Sequence, residues 1–199
     1  MKKITTILLL SLSLHSFSQT NETKIENTNT TENVSVTKSL FGVQIGFIGT
    51  WIYNELKLSD KIALRSELGL VLYTAKNSST DESASFLAPG ITLEPRFYYN
   101  LNKRNRKGKD ISDNSGNYIS LRNTYYPDSF TVGNTEGFKI VPELHIMPTW
   151  GMKRNLGKHF NYELSTGLGY RKVFEKDDLV NNNNEDVLFD IQARIGYKF

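Results

Sequence analysis

From Leu40 onward the hydrophobic positions recur with a period of two. The terminal run shows it best: Phe189, Ile191, Ala193, Ile195, Tyr197 and Phe199 alternate with Asp190, Gln192, Arg194, Gly196 and Lys198. Successive side chains of a strand point to opposite faces, so this pattern makes a strand with one oily and one wet face. Four more segments repeat it, with oily positions at Ile62–Leu72, Ile91–Leu101, Ile140–Trp150 and Phe160–Tyr170. Tyr118–Tyr126 is a weaker strand, and Phe41–Glu55 is read as one strand, apolar on both faces with glycines on one. Helical periodicity is absent from this part of the chain.

That count is seven, whereas a closed antiparallel barrel of this size is expected to have about eight strands. The eighth is expected within residues 24–39, or from a different division of a long segment such as 118–132. Pro89 and Pro95 share one face of a strand, and Pro142 and Pro148 share one face of another. Proline donates nothing to a ladder, so bulges or kinks are expected there.

The connections differ in length. Lys57–Asp60 and Arg154–Gly157 are short turns, while 75–86, 127–137 and 174–185 are long and polar. Short turns at one end and long loops at the other is the layout of an up-and-down transmembrane barrel. The exception is 102–116, a long segment with Lys103, Arg104, Arg106, Lys107 and Lys109, placed on the short-turn side. A solvated turn and a contact with anionic headgroups or a periplasmic polymer are its two readings.

The wet faces carry opposite charges in close order: Arg65 with Glu67, Glu94 with Arg96, then Glu143, Glu163, Arg171 and Arg194. Inside a small barrel such residues pair bidentately and fill the lumen; on a solvated sheet they would be surface pairs of little energy. Aromatic residues gather near strand ends, as in Trp51 and Tyr53, Tyr125 and Tyr126, and Phe160 and Tyr162. That placement suits two interfacial girdles.

The N-terminus changes the picture by adding an address. Lys2 and Lys3 precede the apolar run Ile4–Leu14, and Ser16-Phe17-Ser18 has small residues where a signal peptidase reads. Residues 1–18 are therefore expected to be a cleaved signal peptide, 19–39 a flexible polar periplasmic leader, and 40–199 the barrel. Mean hydropathy is −0.41, which fits a barrel touching lipid with alternate residues and excludes a helical membrane protein.

Lys and Arg number 24 against 21 Asp and Glu, a net charge of +3 that implies no nucleic-acid partner. The absence of cysteine excludes disulfides, thiol catalysis and a lipidated N-terminal cysteine. Glu143 and His145 share a face, and Ser165 has the parity to join them from the next strand. These are the residue types of a Ser/His/Glu hydrolase, though a hydrogen-bonded histidine in a charged lumen accounts for them better. Glu175, Asp177, Asp178, Glu185 and Asp186 form an acidic loop without the ligand spacing of a calcium site. No catalytic centre, cofactor or metal is expected.

Tyr197-Lys198-Phe199, behind its alternating run, resembles the C-terminal signal that the barrel-assembly machinery recognises in outer-membrane proteins. Leu93–Leu101 and Trp150–Asn155 look like the corresponding stretches of the porin-like small outer-membrane β-barrel family of Gram-negative bacteria. The resemblance covers residues 40–199. It implies an all-β transmembrane barrel in the outer membrane, with outer-membrane lipid and the assembly machinery as partners, and no particular activity. The expected role is structural or interactive, through the long loops to a partner that the sequence leaves unknown. A narrow channel for small solutes is the alternative, followed by a barrel-wall hydrolase and by a soluble lipocalin-like binder with its apolar face inward.

Overall fold

The computed structural model describes residues 34–76, 83–133, 135, 141–174 and 185–199. The expected signal peptide and most of the expected leader lie outside them. The described chain forms eight strands: β1 (Ser39–Gly46), β2 (Gly49–Lys57), β3 (Ile62–Lys76), β4 (Ser83–Tyr98), β5 (Asn117–Tyr126), β6 (Glu143–Leu156), β7 (Phe160–Val173) and β8 (Glu185–Lys198). Each pairs antiparallel with its sequence neighbours, and β8 pairs back onto β1 to close the barrel. A short helix, α1 (Leu101–Arg106), and a 3₁₀ turn at Ser112–Asn114 lie between β4 and β5.

The eighth strand lies neither in 24–39 nor in a divided 118–132. It comes from splitting Phe41–Glu55, where Gly46 pairs with Gly49 around a two-residue turn, Phe47-Ile48. The turn shifts the parity. Phe41, Val43 and Ile45 face outward on β1, while Ile52 and Leu56 do so on β2. Read as one strand, the two halves put apolar residues on both faces.

Other boundaries move as well. Leu101 does not continue the β4 alternation; it opens α1 and is buried. Residues 34–38, expected to belong to a flexible leader, run into the barrel mouth, where Val36 is buried and its N–H donates to the Asp60 carbonyl at 2.9 Å. The prolines produce no bulge. β4–β5 pairing skips two positions beside Pro95 and resumes in the same register, from Leu93 with Asn123 to Arg96 with Ser120. β6–β7 does the same beside Pro148, from Ile146 with Tyr170 to Thr149 with Gly167. A missing donor costs local hydrogen bonds there and leaves the alternation of faces intact.

The faces are inverted relative to a water-soluble domain. The largest fully buried side chains are Arg65, Arg96, Tyr98, Tyr118, Lys153 and Leu101, five of them polar or charged at one end. Large apolar residues stand outward on every strand, among them Ile45, Ile52, Leu68 (54% exposed), Ile91, Ile119, Ile146, Leu164 and Ile191 (70%). Across the middle of the lumen the described inward positions are mostly charged or polar, where a lipocalin-like binder would carry apolar ones.

Candidate functional site

Five cations, Arg65, Arg96, Arg122, Lys153 and Arg194, meet five carboxylates, Glu55, Glu67, Glu94, Glu163 and Asp190, inside the barrel. Strand alternation puts each there: on β3 Arg65 and Glu67 are inward, on β4 Glu94 and Arg96, on β7 Glu163. A charge leaving water is strongly penalised unless paired and hydrogen-bonded. The network supplies both.

Glu55 accepts from Arg65 Nη1 at 2.9 Å, Lys153 Nζ at 3.1 Å, Tyr98 Oη at 3.1 Å and Asn114 Nδ2 at 2.6 Å. Glu163 accepts from Arg96 Nη2 at 2.7 Å, Tyr118 Oη at 2.6 Å and Gln44 Nε2 at 3.2 Å. Arg65 also bonds Glu67, which takes Arg194 Nη1 at 2.9 Å. Glu94 takes Arg96 and Ser120. Arg122 bridges Asp190 at 3.1 Å and the Ser165 hydroxyl at 3.2 Å. Aromatic rings complete the filling, with Arg65 over Tyr53, Arg96 over Tyr118 and Arg194 over Trp51, each about 4 Å from the ring centre.

Of the eight residues that the sequence singles out, six (Arg65, Glu67, Glu94, Arg96, Glu163 and Arg194) join this network. Glu143 and Arg171 do not. They sit at the long-loop rim, 3.9 Å apart, where Arg171 bonds Asp186. Sequence reasoning missed Glu55, Arg122, Lys153 and Asp190, the last placed on the wet face of its strand but not given a partner. Glu55 was hidden by the unread turn at Phe47-Ile48, Arg122 by the weak periodicity of its strand. Lys153 stands next to a turn that begins later than expected, since β6 runs on to Leu156.

The end of the barrel that holds Val36 and Phe199 is capped. Val36, Ala63, Tyr98, Leu101 and Tyr118 form a buried apolar cluster across the mouth. The basic segment 102–116 folds over it, with its lysines in solvent and Asn114, Ser115 and Gly116 buried against the mouth. Asp113 and Asn114 take left-handed backbone angles (φ 49° and 63°), a conformation open to Asp and Asn more than to other residues with a side chain. Asn114 thereby reaches Glu55 and accepts from the Thr37 N–H at 2.7 Å, while Asp113 bonds Lys198. Asp110 ties the cap to β6 through Asn155 Nδ2 at 2.7 Å. Partial burial pushes the Asp110 carboxyl up, but hydrogen bonds from Ser112 and Asn155 outweigh it and hold the group below its ordinary value.

The long-loop end has a cavity of about 250 Å³, lined by Trp51, Tyr73, Arg122, Tyr126, His145, Asp190 and Arg194 among others. His145 Nε2 lies 2.9 Å from Glu143 Oε2, and its ring meets Tyr126 edge-on. Ser165 is not with them. It pairs with Gly151, six ladder positions from Arg171, the partner of His145, which is roughly 20 Å along the strand. The three residues of a hydrolase triad are therefore not assembled. Glu175, Asp177 and Asp178 lie outside the described residues.

No protein-family model, curated protein or solved structure matches the chain.

Proposed function

We propose that this is an outer-membrane β-barrel with a structural or interaction role, its lumen plugged by charged side chains and the barrel end at Lys76, Tyr126 and Val173 turned outward. One observation carries the reading: a closed barrel whose interior holds five paired cations and whose exterior is a continuous belt of large apolar side chains. In water that belt would be an aggregation surface far beyond the patch a monomer tolerates. In a bilayer it is the lipid-facing wall, and the closed ladder leaves no strand edge in hydrocarbon. The belt, the plugged interior, the N-terminal address and the terminal Tyr197 and Phe199 all support this reading over that of a soluble binder. The side chains meeting across the lumen favour a scaffold over a channel.

The test is fractionation with heat-modifiability. Protein from isolated outer membranes is run unheated and boiled on a detergent gel. Recovery in that fraction with a mobility change on boiling is the expected result. A protein that stays in the periplasm or medium, with no change, overturns the reading.

A further inference from the structure

The barrel rim is uneven. β1 and β2 end at the turn Phe47-Ile48, with Gly46 level in register with Arg194 on β8 and Gly49 with Val71 on β3. Beyond that turn β8 continues from Ala193 to Glu185, still paired with β7, and β3 continues to Lys76, still paired with β4. Among the described residues no strand stands between these walls. At the usual strand spacing the gap is roughly 14 Å wide. The 250 Å³ cavity reaches into it, because its lining includes the outward-facing Leu72 and Phe189 together with the inward Trp51, Arg122 and Arg194.

The cavity's polar groups are not all satisfied. Nε of Arg122, Nε of Arg194 and Oε1 of Gln192 are buried without a hydrogen-bond partner, the Arg122 Nε standing 3.6 Å from Glu94 Oε1. Both guanidiniums that line the space are ion-paired through their other nitrogens, Arg122 with Asp190 and Arg194 with Glu67, so what the cavity still offers a ligand is N–H donors, which suit a head rich in acceptor oxygens. Beside the gap, Ile48, Leu72 and Phe189 are exposed apolar side chains. A cavity this small takes a compact head and its first methylenes.

We propose that the notch above Phe47-Ile48 is a lateral entrance by which a long-chain carboxylate reaches the lumen from the membrane. Its head sits between Arg122 and Arg194, accepting from the two free Nε–H groups, and its tail lies over Leu72 and Phe189. The inference rests on the membrane reading above.

The chain's two tryptophans allow the two ideas to be tested separately, because Trp51 lines the cavity and Trp150 stands on the outer wall. Trp150→Phe is reconstituted in phosphatidylcholine liposomes and titrated with palmitate brominated at carbon 2. Saturable quenching of Trp51 is expected, weakened at least about tenfold by Arg122→Gln. Gln192→Phe, which fills the cavity from β8, is a second variant and should abolish the saturable component. The methyl ester of the same acid should give only quenching that rises linearly with its content in the bilayer. In parallel, Trp51→Phe is placed in brominated phosphatidylcholine, which should quench Trp150. If Trp150 is quenched but Trp51 shows no saturable response, or responds equally to acid and ester, the entrance is refuted while the membrane reading stands. If Trp150 is not quenched, the membrane reading falls and the entrance with it.

Discussion

Lys153 on β6 and Glu55 on β2 stand four strands apart, on opposite walls of an eight-stranded barrel, and their side chains meet at 3.1 Å. A contact of that kind spans the full bore. With Arg65 and Arg96 also bound to Glu55, the middle of the lumen is filled by a cross-wall electrostatic knot in place of a hydrophobic core.

Removing one member of the knot should cost more than removing a rim pair. Glu55→Gln leaves three cations short of a carboxylate and is expected to destabilise the fold by about 3–5 kcal/mol. Arg171→Gln, whose partners Glu143 and Asp186 are partly solvated, should shift stability little. Urea unfolding from liposomes, followed by tryptophan fluorescence, measures both.

Bore-filling side chains also block conduction. The wild-type protein in planar bilayers is expected to show no discrete conductance steps. Steps in the native protein would show that the knot opens.

Gly151 makes room for a neighbour: a Cβ there would lie 2.1 Å from the Tyr118 ring, which fills the bore beside Arg96. Gly151→Ala is expected to destabilise by about 1–3 kcal/mol through forced displacement of that ring. Adding Tyr118→Leu should recover part of the loss, a coupling that a double-mutant cycle reads directly.

Much of this architecture was legible beforehand, and the misses share a physical origin. Alternation survives wherever the ladder is regular, so Arg65, Glu94, Glu163 and Arg194 could be placed on the inward face from parity alone. Parity is lost at a turn that lacks turn chemistry. Phe47-Ile48 has no Asn, Asp or Gly at its centre, so the hairpin read as one strand and Glu55 lost its assignment. The 102–116 segment misled for a different reason. Its lysines do face solvent, but the cap is fixed by Asn114, Asp113 and Asp110, whose roles depend on partners 77, 85 and 45 residues away at Thr37, Lys198 and Asn155 respectively.

The outer wall should reject charge. Leu68→Arg is expected to cost about 2–4 kcal/mol in liposomes if it lies near the bilayer midplane. The measurement is the equilibrium folded fraction in urea. An unchanged midpoint would contradict a lipid-facing Leu68.

The cap should respond to acid. Because the Asp110 carboxyl is held below its ordinary 3.8, the stability it adds is fully present above that value and is lost as pH falls through the lower folded one. Amide exchange across residues 110–116 should therefore accelerate below pH 4, after correction for intrinsic rates. Asp110→Asn should remove that pH dependence.

The ring of ladders is unequal. β3 and β4 share fifteen register pairs, while β8 and β1 share five, extended by a hydrogen bond from the Phe199 N–H to the Phe41 carbonyl. This seam also joins the two strands furthest apart along the chain, so it carries the largest loop-closure entropy with the fewest bonds to offset it. It is the natural last step of folding and the first line of fracture. Until it zips, the molecule is a curled sheet with two bare edges, able to pair with any strand offered to it.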